Sequence, residues 1–349
     1  MAFTEILTSH TITVEQFSES VFEEFTKLLW WKNLMGTDPD MPINVLEDLT
    51  KEPGDAITVQ LMGQLQGGIV TGNSTGIGNE GRVDFFGQRI EIDNVRVLAR
   101  IDDLPMTQKR TNFDVIAKVR RALATRAQER LDEEITTALS DTATGRVRGR
   151  YLYGAADSNW NATHATALLA IDNAADQLTT NMIDIGKRKA KLITTTATAK
   201  IRPMRVVNGK NMEEWFTFVG HTLSIRDLIL NDASWKNAQL NIPPQSNGDS
   251  PIFTGSSFKG AWNGTLIYEY EELDLISSTI QCSHNFLLGA QAAAVAWGQR
   301  SKVGEEENDV GHRLTIEDHQ IRGVEKLVFD RSTPEDNGAV HIFAAAVAD

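Results

Sequence analysis

Apolar side chains recur at helical spacing in the middle of the chain, and the pattern predicts one long helix. Seven residues three or four positions apart form a single stripe: Ile116, Val119, Leu123, Ala127, Leu131, Ile135 and Leu139. The stripe predicts a helix over Thr111–Ser140, about 40 Å long at about 1.5 Å per residue. Thr111 and Asp114 have the spacing of a capping box at its start. Weaker patterns predict helices over Val14–Leu29 and Ala165–Leu192.

Alternation of apolar and polar residues predicts strands in much of the remaining chain. Ile57–Leu65 and Phe85–Ile101 alternate on either side of the glycine-rich Gly67–Gly81, which predicts an extended two-stranded arm with a flexible tip. Ile57, Val59 and Leu61 share one face of that arm. The longest apolar run, Phe286–Gly298, falls short of the roughly 20 residues of a membrane helix and predicts a buried core element. Shorter strand-like segments are Met204–Val207, Trp215–Val219, Thr265–Tyr270, Gln320–Phe329 and Val340–Val347. Because helices and strands mix without a regular βαβ order, the predicted class is α+β.

Three features indicate a chain that needs partners. A two-stranded ribbon is marginal alone in water, so the arm should lie on another surface, which we expect to be a neighbouring subunit. Trp30 and Trp31 would form an apolar patch that needs cover from the chain's own body or from another chain. The long helix carries basic residues early and acidic residues late, which indicates that these charges interact with groups outside the helix.

Charge and cysteine content narrow the classes of partner. The 349 residues carry 34 Lys and Arg against 47 Asp and Glu, a formal charge of −13. A protein that neutralises phosphates over its whole surface should be basic, so tight nucleic-acid binding is disfavoured. The single cysteine, Cys282, excludes an intrachain disulfide and fits a reducing compartment. The N-terminus lacks a basic segment followed by an apolar one, so we expect no secretory signal.

We predict no catalytic, cofactor-binding or metal-binding residues. Gly76–Gly81 matches G-x-G-x-x-G, but a strand-like segment follows it where a dinucleotide site needs a helix. His312 and His319 lack a metal-ligand spacing. The Cys282–His284 segment is strand-like, so adjacent residues point to opposite faces and we expect no nucleophile–base pair. Four acids predict a solvated strand end rather than an acid/base pair: Glu269, Glu271, Glu272 and Asp274.

Arg146, Arg148 and Arg150 form a basic loop for which two interpretations stay open. The favoured one is a solvated loop, because three arginines are a small footprint for phosphate binding. The alternative is contact with nucleic acid or with an acidic neighbour.

Five segments follow one another in an order that resembles the major capsid proteins of tailed bacteriophages. They are LEDLTKEPGDAITVQL, RIDDLPMTQKRTNFDVIAKVRRALATRAQERLDEEI, PIFTGSSFKGAWNGTLIYEYEEL, FLLGAQAAAVAWG and RGVEKLVFD, which lie between Trp30 and Ala345. They are similar to the branch typified by the capsid protein of coliphage N-four. The resemblance implies the Hong Kong 97-like fold.

The resemblance implies roles for segments rather than for catalytic residues. The implied segments are an N-terminal arm (1–52), an extended two-stranded E-loop that reaches over an adjacent subunit (53–101), a peripheral (P) domain (102–199) with spine helix 111–140, an axial (A) domain (200–285), and a C-terminal return to the P/A core (286–349). Pro251–Ile276 would be a turn and a strand of the axial domain, with its glycines serving backbone geometry.

The implied function is that of a major capsid protein, which self-assembles into hexamers and pentamers of an icosahedral head enclosing double-stranded DNA. Implied partners are further copies of the chain, a portal protein at one vertex, scaffolding and decoration or cement proteins, and packaged DNA through weak non-specific contact, with no membrane. The protein would reside in the virion after assembly in the cytoplasm of the bacterial host. No motif supports covalent crosslinking, so we expect a shell without crosslinks.

Three alternatives stay open at this point. An encapsulin-like nanocompartment would share the fold, and neighbouring genes for a portal or for a cargo enzyme would distinguish the two. A soluble hydrolase would use the acids and histidines above and would form a small discrete species instead of large particles. A tail or decoration protein is disfavoured, because a long helix after a two-stranded arm is not expected there.

Overall fold

The computed structural model describes residues 29–47, 54–63, 65, 67, 69–111, 114–194, 197–208, 211–240 and 257–347. The predicted helix over Val14–Leu29 lies outside these ranges except for Leu29. The chain divides into two units. The first contains Met1–Leu29, Val95–Arg130 and Ser301–Gln320, and the second contains Trp30–Asn94, Leu131–Arg300 and Ile321–Asp349.

The described residues form six α-helices and fifteen strands, mixed along the chain as the predicted α+β class requires. The helices are α1 (Leu104–Arg110), α2 (Val115–Ser140), α3 (His164–Leu168), α4 (Thr180–Lys191), α5 (Thr222–Asn231) and α6 (Ala233–Leu240). The strands are β1 (Met35–Gly36), β2 (Ile43–Leu46), β3 (Ala56–Met62), β4 (Phe85–Glu91), β5 (Asp93–Ile101), β6 (Tyr151–Tyr153), β7 (Met204–Asn208), β8 (Asn211–Gly220), β9 (Phe258–Trp262), β10 (Thr265–Glu269), β11 (Leu275–Ser277), β12 (Gln281–Leu288), β13 (Ala293–Asn308), β14 (Arg313–Lys326) and β15 (Ala339–Ala345).

The long helix is confirmed, but it starts later than predicted. The Asp114 carboxylate accepts hydrogen bonds from the backbone N–H groups of Ile116 (3.0 Å) and Ala117 (3.2 Å), so Asp114 caps α2. Thr111 instead ends α1, where its hydroxyl donates to the Thr107 carbonyl at 3.0 Å. The pattern did not predict α1, because seven residues are too few to show an apolar stripe.

The charges that oppose the α2 dipole interact with groups outside the helix, as predicted. In the first unit, Arg120 Nε donates to Glu305 at 2.7 Å. In the second unit, Glu134 accepts a hydrogen bond from Arg322 Nε at 2.9 Å. Because these partners belong to the same chain, the charges on α2 do not by themselves indicate a neighbouring subunit.

The second predicted helix, Ala165–Leu192, is wrong as a continuous element. The segment forms α3 and α4 with a non-helical connection between them. In that connection the Asp172 side chain accepts from the N–H of Ala174 at 2.8 Å, and the Asp176 side chain accepts from the N–H of Asp172 at 2.8 Å. These carboxylates satisfy backbone donors locally, and so they compete with helical hydrogen bonds.

The core of the second unit is an eight-stranded sheet. Its main order is β6-β15-β12-β8-β10-β9, with β11 paired to β12 and β7 paired to β8. Phe216, Phe218, Leu287 and Ile342 are buried in it together with residues of α4. The predicted core run Phe286–Gly298 covers the end of β12 and the start of β13 and is buried along almost its whole length. A second sheet has the order β1-β2-β13-β14-β5, and β3 and β4 form a separate ribbon.

The predicted turn and strand within Pro251–Ile276 are confirmed for the described part, which begins at Ser257. β9 and β10 form a hairpin whose turn is Asn263–Gly264, with φ angles of 44° and 70°. A two-residue hairpin turn of this kind needs the left-handed conformation at both positions, which Asn and Gly tolerate. Gly264 therefore serves backbone geometry, as predicted.

Candidate assembly surfaces and a buried ionic cluster

One face of the β3–β4 ribbon packs on the chain's own body. Ile57 pairs with Ile90 across the ribbon, and both are buried. They contact a cluster in the second unit that includes Ala294, Leu327 and Phe329. Val59 and Leu61 pack on the same cluster, so the predicted shared face of Ile57, Val59 and Leu61 is confirmed.

The Gln88 side chain fixes the ribbon to the body by polar contacts. Its amide nitrogen donates to the Lys326 carbonyl at 2.8 Å. Its amide oxygen accepts from the N–H groups of Val328 (2.7 Å) and Phe329 (3.0 Å). A fourth hydrogen bond, from the same amide nitrogen to the Glu325 carboxylate, is 3.2 Å long. The four hydrogen bonds of this half-buried side chain hold β4 in one register against residues 325–329.

The far end of the ribbon remains uncovered. Met62 and Phe85 are cross-strand partners, and their exposed fractions are 68% and 71%. Beyond them Leu65, Ile69 and Ile77 are also exposed. The expectation that the ribbon lies on a neighbouring subunit is therefore wrong for its inner face, which its own chain covers. The outer end is the part that offers apolar surface to another molecule.

The tryptophan pair is covered by its own chain. Trp31 is fully buried, and its indole N–H donates to Thr136 of α2 at 3.2 Å. The Trp30 ring stacks on Tyr270 with 4.5 Å between ring centroids, and its backbone N–H donates to Asp132 at 2.9 Å. The sequence left open whether the chain's own body or another chain covers this pair, and the structure shows that the chain's own body does.

All three arginines of the basic loop have partners inside the second unit. The Arg146 guanidinium lies 4.3 Å from the Trp160 ring centre and donates to the Asn161 carbonyl at 2.6 Å. Arg148 donates to Asp157 at 3.1 Å, and Arg150 is completely buried. Because the three guanidinium groups are bound within the chain, they have little capacity left for contacts with phosphates. The loop also differs from the solvated loop that the sequence favours.

The remaining candidate residues do not converge on a reaction centre. Gly76–Gly81 is an exposed loop between strands. Cys282 and His284 lie two apart in β12 and so share a face, but burial raises the pKa of the Cys282 thiol to about 11, which disfavours a thiolate nucleophile. Glu269 pairs with Lys259 at 2.6 Å. Glu271, Glu272 and Asp274 are exposed.

His312 lies 3.5 Å from Asp103, and His319 is half-buried in β14. Within the described ranges, no group of three His, Cys, Asp or Glu side chains is arranged to hold a metal ion. No helix in the described part of the chain has the length and apolar character that crossing a membrane requires.

The second unit contains a buried ionic cluster that the sequence pattern did not reveal. Glu335 and Asp336 are both fully buried. Glu335 lies 3.4 Å from the Arg150 guanidinium and 3.0 Å from that of Arg331. It also accepts a hydrogen bond from the Ala199 N–H at 3.0 Å. No local motif connects these residues, because they come together only through the fold.

Asp336 lies between a lysine and a histidine. Its carboxylate is 2.7 Å from Lys326 Nζ and 3.0 Å from His341 Nε2. Lys326 also donates to the carbonyls of Asp141 (2.6 Å) and Thr144 (2.8 Å). The cluster thus ties β14, β15 and the segment after α2 to one another within the second unit.

Three histidines near this cluster resist protonation. His341 Nδ1 lies 2.8 Å from His284 Nε2, and the Tyr151 ring stacks on His341 at 4.3 Å. Burial lowers the pKa of both His284 and His341, and the Lys326 cation adds to the effect, although Asp336 opposes it at His341. Burial and the Arg146 cation lower the pKa of His164 to about 4.

The histidines should make the subunit less stable in acid. In the unfolded chain each histidine binds a proton with a pKa of about 6.5, whereas in the folded chain these three stay neutral at that pH. Because the unfolded state then binds more protons, the free energy of unfolding falls as the pH drops below about 6.5. For His164 the loss continues down to its folded pKa of about 4. Urea unfolding of dissociated subunits at about pH 7.5 and about pH 5 measures the change.

His284→Gln should weaken this pH dependence, because it removes a buried histidine whose pKa is lowered in the folded chain. Equal pH dependence in wild type and His284→Gln would contradict the assignment.

The fold has counterparts among solved viral shells. It is similar to the capsid asymmetric unit of cyanophage Pam1, with a TM-score of 0.84, 22% identity and 100% of each chain covered. It is similar to the capsid of Ralstonia phage GP4, with a TM-score of 0.80, 20% identity and 99% of each chain covered. The acid-stable capsid of Helicobacter pylori bacteriophage KHP30 gives a TM-score of 0.71 at 13% identity, over 98% of this chain and 100% of that one. These counterparts define the class of protein: the fold is that of a Hong Kong 97-like phage shell subunit, as predicted.

The sequence itself establishes the family. The sequence model of the phage capsid protein family matches residues 7–348, and the chain therefore belongs to that family. It is a major capsid protein of the virion, and its role is structural rather than enzymatic. No curated protein matches the chain. The finer resemblance to coliphage N-four stays a prediction.

Proposed function

We propose that this major capsid protein assembles into hexamers and pentamers that tile an icosahedral head around double-stranded DNA. The exposed outer end of the β3–β4 ribbon carries the proposal. Its base is fixed to the body by Gln88 and the Ile57–Ile90 pair, while Met62 and Phe85 remain open to another molecule. A rigid base with an apolar end is suited to reaching a second subunit, because burial of that end is favourable only on contact.

The segment roles follow from the same proposal. Residues 53–101 would act as the E-loop over an adjacent copy, after an N-terminal arm of residues 1–52. Residues 102–199 would form the peripheral domain around α2, and residues 200–285 the axial domain that meets its copies at the symmetry axes. Residues 286–349 would complete the core.

Further partners belong to the proposal as well. We expect a portal protein at one vertex, scaffolding and decoration or cement proteins, and assembly in the cytoplasm of the bacterial host. Packaged DNA would be touched weakly and non-specifically, since a chain with a formal charge of −13 has little general attraction for phosphates. The arginines of the 146–150 loop support this view, because each has a partner within its own chain.

Electron microscopy of the purified protein tests the proposal. The chain is expressed alone and, in a second sample, together with its neighbouring genes, so that any scaffolding or portal protein is supplied. Closed particles hundreds of ångströms across are expected in at least the second sample. A compact monomer in both samples would overturn the proposal.

A further inference from the structure

The β13–β14 hairpin of the first unit ends in a strained apolar tip. Asp309, Val310 and Gly311 have φ angles of 56°, 56° and 81°. The left-handed region is unfavourable for a β-branched residue, because its side chain crowds the backbone there. Val310 is also fully exposed, so it gains no packing within the described part of its own chain. A glycine would satisfy the turn with less strain, and the valine is useful only if something else covers it.

Acidic side chains surround this tip. Glu306, Glu307 and Asp309 are exposed, and none of them forms an ion pair with another described residue. Glu305 differs from them, because Arg120 of the same unit binds it. We call the exposed Val310 side chain the knob, and we call the unpaired carboxylates of Glu306, Glu307 and Asp309 around it the collar.

A complementary surface lies on the same unit. α1 and the start of α2 enclose a shallow depression of about 410 Å³, lined by Leu104, Pro105, Gln108, Lys109 and Ile116. Lys109 is exposed in this lining, and Arg110, the next residue of α1, is exposed as well; neither makes an ion pair with any other residue that the structure describes. The depression thus combines an apolar floor with positive charge, the counterpart of the acidic knob.

The knob and the depression are neighbours on one chain, yet the knob does not fill the depression. The backbone N–H of Leu104 donates to the His312 carbonyl at 3.0 Å, which places the start of α1 beside the hairpin turn. Val310 nevertheless stays fully exposed. When two complementary surfaces lie side by side on one subunit, the knob of each copy can bind the depression of the next copy, head to tail. In a closed ring, both surfaces of every copy are then occupied.

We propose that Val310 of one copy inserts into the depression formed by α1 and the start of α2 of a second copy. In this contact Glu306 and Glu307 face Lys109 and Arg110 of the receiving subunit. The inference rests on the proposed assembly of this protein into a shell and adds to it one specific contact between copies.

Val310→Asp tests the apolar part of the contact in the full-length protein. The free-subunit concentration in equilibrium with particles, measured by sedimentation velocity, should rise by at least about tenfold, because a buried valine would become a buried unpaired charge. Val310→Gly gives a sharper result. It relieves the strained turn, so the midpoint of subunit unfolding should rise while the particles become weaker. If the turn has no intermolecular role, Val310→Gly should still stabilise the subunit, but the particles should be unchanged or more stable. That result would contradict the proposed contact.

Charge reversal tests the collar even if Val310→Asp does not fold. Lys109→Glu and Glu307→Lys should each weaken assembly, and the double variant should recover it. Lys302→Glu changes an exposed lysine elsewhere on the same hairpin and is the matched control. If wild type forms no particles, the proposed function itself fails. If wild type forms particles and the Val310 and Lys109 variants assemble equally well, only the present inference is overturned.

Discussion

Replacing Met62 and Phe85 together by aspartate should abolish particle formation while the subunit stays folded. The two side chains are cross-strand partners at the outer end of the ribbon, and each is more than two-thirds exposed in the single chain. Their change should therefore cost the isolated subunit little. In a shell, each side chain buried against a neighbour would contribute about 1.5–3 kcal/mol, and aspartate would reverse the sign of that contribution at every copy.

Sedimentation velocity and electron microscopy measure this outcome directly. Far-ultraviolet circular dichroism checks that the variant subunit is folded. Gln60→Ser is the matched control, because Gln60 is exposed on the same strand but polar, and particles should form as in wild type. Normal particles from the double aspartate variant would show that the end of the ribbon is not an intersubunit contact.

Asp336→Asn should destabilise the subunit by about 3–5 kcal/mol, the usual cost of removing one partner from a buried ion pair. Asp336 is fully buried, and its closest cation, Lys326, has a side chain only 3% exposed. The variant would leave that ammonium inside the protein without its carboxylate. Urea unfolding of dissociated subunits measures the difference in unfolding free energy.

Two further variants sharpen this result. Asp55→Asn removes a carboxylate from an exposed pair with Arg89 and should cost at most about 1 kcal/mol. The double variant Asp336→Asn/Lys326→Met should be less destabilised than Asp336→Asn alone, because it removes the uncompensated charge as well. A loss from Asp336→Asn no larger than that from Asp55→Asn would mean that the cluster contributes little to stability.

Local pattern predicted some elements well and others poorly, and the reasons are physical. The stripe from Ile116 to Leu139 predicted α2 because seven spaced apolar residues leave few other conformations that bury them together. The same reasoning failed for Ala165–Leu192, where Asp172 and Asp176 supply alternative partners for the backbone. The alternation of apolar and polar residues also predicted Phe85–Ile101 as a single strand. The structure divides this segment into β4 and β5, which belong to different sheets.

The candidate surfaces were predicted less well than the elements. The sequence singled out the ribbon, the tryptophan pair and the charges of α2 as features that need partners. In the structure the chain itself supplies the partners of the pair and of several α2 charges, and it covers the inner face of the ribbon. The outer end of the ribbon and the Val310 tip are among the apolar surfaces that remain exposed in the described part of the chain. The buried cluster around Asp336 carried no signal in the sequence, since its members are ordinary charged residues until the fold encloses them.

By itself, the sequence determined the α+β class, the long helix with Asp114 at its start, the ribbon with its apolar face, and the net negative charge. These are properties of neighbouring residues and of total charge, so they can be recognised without knowing which distant segments meet. Only the tertiary structure decided which apolar and charged groups stay uncovered. Burial depends on contacts across long separations, such as the hydrogen bond between Trp31 and Thr136, which lie 105 residues apart. The same apolar side chain can belong to a core or to an interface between subunits, and the fold of the whole chain decides between them.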